Sequence, residues 1–160
     1  MLGSLLPGLD HLQNIHPLVV HFPIALLTVA APIYIVAAIV RRESWAWTGL
    51  WMLTLGTIGA AAAVATGLYG AEGVMVAVSV RSNLLEPHRN VMVGVLALSV
   101  LLSAWALIGR PLPIRGRFVF LALMVVLIAM LARGADYGAR MVYDYNAGGY
   151  ACGQPIDFTH

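Results

Sequence analysis

Residues 17–40 read PLVVHFPIALLTVAAPIYIVAAIV, a run without a single charged side chain. At about 1.5 Å of rise per residue such a helix covers roughly 36 Å, enough to cross a hydrocarbon layer with some tilt. In lipid the backbone must satisfy its own hydrogen bonds, so the run is read as a spanning α-helix. Pro17 suits the first turn, whereas Pro23 and Pro32 each remove a donor and are expected to bend the helix. Arg41, Arg42 and Glu43 stop it.

The rest of the 160-residue chain follows the same logic. Hydrophobic residues make up 61% of it and charged ones only 10%, a balance that places it among integral membrane proteins rather than soluble domains. A second span is expected at about 45–70, with Trp45, Trp47 and Trp51 at its first end as interfacial aromatics. Its interior is small-sided: Gly49, Gly56, Ala63 and Gly70 recur every seven residues, and Gly59, Ala63 and Gly67 every four. Such a face lets another backbone or a flat ligand approach closely, and both readings stay open. Residues 71–87 are short and charged, so an extramembrane loop with a surface-lying helix is expected there. A third span follows at about 89–109, and the link RPLPIRGR, with its two prolines, forbids continuation. The fourth span covers about 118–135, with room to continue through Arg133 to Tyr143.

The expected architecture is an all-α, integral membrane, antiparallel four-helix bundle over 17–143. Residues 1–16 form an N-terminal interfacial segment and 144–160 an irregular C-terminal tail. The links after spans one and three carry Arg41, Arg42, Arg110, Arg115 and Arg117 against one acid, Glu43. The positive-inside rule puts them in the cytoplasm, which makes the protein a multi-pass protein of the bacterial inner membrane with both termini and the C-terminal tail periplasmic. The start of the chain lacks the charged n-region of a cleavable signal peptide, so no processing is expected.

In this topology all five histidines, 11, 16, 21, 88 and 160, fall on the outer side. His21 lies about one turn inside span one and His88 at the outer start of span three, so the two have similar depth. Facing helices are where bundles mount cofactor ligands, and two imidazoles at one level suit axial ligation of a haem iron. His21 and His88 are the expected ligands of one haem b per chain, and a second haem would bring in His16. Arg81, Arg89, Arg133 and Arg140 are the cations available for propionates, and Gly59 and Gly67 could let a macrocycle lie against backbone. The bland alternative is that the histidines bond carbonyls or water, and that His16 only caps the helix. His16 and His21 stand about 140° apart on a continuous helix, which disfavours a shared small metal.

Other chemistries lack their signals. No H-E-x-x-H, C-x-x-C-H, Walker loop or G-x-S-x-G occurs. The lone Cys152 has no recognisable base, and a formal charge of +2 gives nucleic-acid binding no support. Asp136 and Arg133 are spaced to pair across one helical turn.

HPLVVHFPIAL at 16–26, ATG at 65–67, HRN at 88–90 and GARMVY at 138–143 with a later glycine resemble the bacterial membrane-protein family called domain of unknown function 2231. The resemblance covers about residues 13–149. It implies a four-span inner-membrane protein with His16, His21 and His88 as motif histidines, similar to small b-type cytochromes.

The functional expectation is an electron-transfer subunit rather than a stand-alone enzyme. It would pass electrons between the quinone pool or a membrane dehydrogenase and a periplasmic acceptor such as a c-type cytochrome, in contact with membrane lipid and within a larger complex or homo-oligomer. The alternative is a cofactor-free structural or assembly subunit whose small-residue faces pack on partners.

Overall fold

The computed structural model describes residues 15–71 and 76–147. The expectations for the N-terminal segment before Ile15, for His11, Cys152 and His160, and for the tail beyond Ala147 lie outside the described residues. Four long helices make up the fold: α1 (His16–Val40), α2 (Glu43–Ala71), α3 (Val78–Gly109) and α4 (Arg117–Tyr145). Each is long and apolar enough to cross a membrane. They form a ring in chain order, α1 on α2, α2 on α3, α3 on α4 and α4 on α1, so α1 and α3 face each other diagonally.

The small face of α2 is spent on α1. A Cβ on Gly49 would lie 3.1 Å from the Tyr34 ring, one on Gly56 2.8 Å from Leu27 Cδ2, and one on Gly59 3.0 Å from Phe22 Cδ1. The seven-residue recurrence is therefore a close helix–helix seam, with dispersion gained where backbones approach. α1 stays helical through both prolines. Pro23 is buried beside Gly59, where the missing side chain leaves room for its ring.

One boundary differs from the sequence reading. The stretch expected as a loop up to residue 87 is already helical from Val78. Its charges, Arg81 and Glu86, need only reach the interface, and a helix leaving the membrane tolerates them there. Pro87 cannot donate to the preceding turn and crowds its carbonyl, and the chain meets this with a widened π-helical turn at Arg81–Leu85, in which Glu86 N–H reaches the Arg81 carbonyl. At the other boundary α4 runs on to Tyr145, through the continuation to Tyr143 for which the sequence leaves room, with Arg133–Asp136 and Arg140–Asp144 paired along its exposed face. It stops where Asn146 turns left-handed (φ 48°) and Ala147 N–H donates to the Met141 carbonyl at 2.9 Å.

The core is continuous along the bundle axis, with Leu27, Tyr34, Leu53, Leu102, Phe120 and Leu127 fully or almost fully buried. At the end that carries the two arginine-rich links, Tyr34 O–H donates to the Pro111 carbonyl (3.2 Å), and the Phe120 ring stands edge-on to both Tyr34 (5.0 Å) and Trp105 (5.9 Å). Midway, Thr57 gives its hydroxyl to the Leu53 carbonyl (2.8 Å) and shares a 2.9 Å bond with Ser103, tying α2 to α3.

Candidate functional site

At the end of the bundle opposite the arginine links, His16 opens α1 and His88 lies three turns into α3. Although these helices are diagonal, the two rings meet, with centroids 6.4 Å apart and planes at 83°. Each is half-buried and tied to a neighbouring helix through Nδ1. His88 Nδ1 lies 2.8 Å from the Gly134 carbonyl on α4. A carbonyl only accepts, so Nδ1 carries the proton and the lone pair sits on Nε2. His16 Nδ1 lies 3.3 Å from Thr66 Oγ1 on α2. That hydroxyl directs its own proton toward the carbonyls of Ala62 (2.9 Å) and Ala63 (3.0 Å), so it accepts from His16, which takes the same tautomer.

Glycines let the rings lie close against neighbouring backbone. A Cβ on Gly67 would lie 2.9 Å from His16 Cε1, and one on Gly138 3.3 Å from His88 Cε1. A Cβ on Gly134 would overlap the Met92 side chain. The rings are flanked by two clefts that share His16, His88, Val64, Met92, Gly138 and Val142 as walls. One, of about 150 Å³, opens between α2, α3 and α4. The other, of about 390 Å³, runs down between α1 and α4 toward Leu27 and Leu131.

The residues singled out from the sequence separate into groups. His88 is in the site, but its ring neighbour is His16, not His21. His21 is exposed and lines only the larger cleft. The 140° offset between the two α1 histidines explains this, because turning one ring into the bundle turns the other out. Gly67 serves the site by giving His16 room, whereas Gly59 only seats Phe22 and Pro23. Arg89 is exposed and lines the smaller cleft beside His88. Arg81 sits half-buried in the π turn, and Arg133 and Arg140 line a different, polar cleft. Sequence reasoning missed Thr66, Gly134 and Gly138 as supports for the rings. Thr66 stands inside the ATG segment, and Gly134 and Gly138 are four apart, on one helix face. Among the described residues no group of three or more His, Cys, Asp or Glu side chains is placed to hold a metal ion.

Fold and site together define a polytopic four-helix membrane protein with a paired-imidazole site at one end. The chain belongs to the family described as "Predicted membrane protein (DUF2231)", whose model matches residues 12–150. Comparison with curated proteins gives no match, and comparison with solved structures gives none either.

Proposed function

We propose that the protein is a membrane electron-transfer subunit that holds one haem b between His16 and His88. The observation that carries this reading is the ring pair. Two imidazoles that both bound one metal ion through nitrogens at about 2.0 Å would bring their centroids to roughly 6 Å from each other. The observed separation is 6.4 Å. A donor set of two neutral imidazoles also suits a metal that brings its own equatorial ligands. When bound, haem supplies one-electron redox chemistry.

The chain's own residues then have defined work. The Gly134 carbonyl and Thr66 hydroxyl orient the rings and raise the basicity of Nε2. Gly67 and Gly138 keep them from being pushed aside, the clefts on either side supply apolar walls, and Arg89 is the nearest lining cation for a propionate. The arginine-rich links at the opposite end support a cytoplasmic placement for them, which puts the histidine end toward the periplasm of a bacterial inner membrane, within reach of a c-type cytochrome and of membrane quinone. The rival reading, a cofactor-free subunit that packs on partners through Gly59 and Gly67, loses its motive, since both glycines face α1 side chains of the same chain.

The test is haem content of detergent-purified protein by pyridine haemochrome with reduced and oxidised spectra. Wild type should carry about one haem b per chain; His16→Ala and His88→Ala should lose it, and His21→Ala should keep it. Colourless wild-type protein made with ample haem, or full haem in either ligand variant, would overturn the assignment.

A further inference from the structure

A second cleft lies at the same end of the bundle but on the outer flank of α3 and α4. It measures about 340 Å³ and is lined by Ser79 and Asn83 from the first turns of α3 and by Arg133, Tyr137, Arg140 and Tyr145 from α4, with Val80 and Leu84 at its base. An apolar wedge separates it from the histidine clefts: Val80, Leu84 and Met141 are buried together, with Tyr137, Tyr145, Leu85 and Ala147 packed on them. Arg133 and Arg140 therefore line a cleft of their own.

Its chemistry is one-sided. Every polar lining side chain is a hydrogen-bond donor and none is a carboxylate. Arg133 is pre-set: Nη1 donates to Asp136 Oδ2 (3.3 Å), Nη2 donates to Tyr137 Oη (3.0 Å), and the guanidinium lies 4.5 Å over the Tyr137 ring. Because Tyr137 accepts there, its own hydroxyl proton is left to give. Arg140 meets Asp144 only through Nε, at 3.7 Å, so its Nη edge is available for a forked contact. The π turn at Arg81–Leu85 spans Asn83 and Leu84 and sets them toward α4.

We propose that this cleft binds a phosphate-type oxyanion, either the phosphodiester of an anionic lipid headgroup or free phosphate. Forked arginine contacts match tetrahedral oxyanions, phenol and amide donors complete the shell, and the helix ends at this level lie where headgroups meet a spanning protein. The proposal stands independently of any haem.

The experiment is thermal unfolding and native mass spectrometry of the full chain in detergent, titrated separately with phosphatidylglycerol, phosphatidylcholine and inorganic phosphate. Phosphatidylglycerol or phosphate, but not phosphatidylcholine, should raise the unfolding temperature, and whichever acts identifies the source. Arg140→Gln should weaken that binding roughly tenfold, Asn83→Ala should weaken it less, and Arg42→Gln at the opposite end should leave it unchanged. Circular dichroism checks that the variants fold. No shift with either anion, equal shifts with phosphatidylcholine, or undiminished binding by Arg140→Gln in folded protein overturns the proposal.

Discussion

The two ends of the bundle are built on opposite principles. At the arginine-link end, large rings fill the space: Tyr34, Phe120 and Trp105 stand edge to face, and the Tyr34 hydroxyl reaches across to the Pro111 carbonyl. At the histidine end, small residues let side chains lie against backbone: Gly67, Gly134 and Gly138 sit where a Cβ would strike His16, Met92 and His88, and two clefts flank the rings. Close packing gives stability, and a cleft lined by apolar walls leaves room for a ligand. One end of the same four helices is thus a clamp and the other a receptacle.

Mutations at the clamp should change stability and leave the receptacle's chemistry alone. The largest effect is expected from Phe120→Ala, which removes the ring shared by Tyr34 and Trp105 and should cost about 3–5 kcal/mol in equilibrium unfolding. On the proposed haem reading, the haem stoichiometry of the folded fraction should not change; if it falls in parallel, the two ends are not separable. Next comes Thr66→Val at the receptacle, which keeps shape but removes the hydroxyl that His16 Nδ1 meets on α2. Loss of such an orienting group typically weakens metal retention about 10–100-fold. On the proposed haem reading, haem transfer to an acceptor globin measures this, and wild-type kinetics would mean that Thr66 does not orient His16. The smallest effect belongs to Tyr34→Phe, which keeps the ring stack and deletes one hydrogen bond, about 1 kcal/mol by detergent unfolding. A loss as large as that of Phe120→Ala would mean the hydroxyl, not the rings, holds the clamp.

The site was partly legible in advance. A pair of imidazoles from spans one and three was readable because both spans run the same way and carry histidine near one end. Which α1 histidine belongs to it was not readable, since residues 16 and 21 differ by an angle and only the packing of α1 on α2 fixes which side faces inward. Seating Gly49, Gly56 and Gly59 against Tyr34, Leu27 and Pro23 fixes that rotation, and with it His16 turns in. The arginines illustrate the same limit. Four of them share a side of the bundle, but Val80, Leu84 and Met141 part Arg133 and Arg140 from the cleft that Arg89 lines.

Long apolar runs, the charges that interrupt them and the spacing of small residues therefore determined the all-α class, the four helices and the seam between the first two. These are one-dimensional consequences of solvation and backbone hydrogen bonding, and each run carries them by itself. The tertiary structure alone decided the helical continuation before Pro87, the meeting of His16 with His88 across the diagonal, and the division of the outer end into two clefts. Each depends on how helices rotate and lean on one another, and that is set by side-chain volumes brought together from distant parts of the chain.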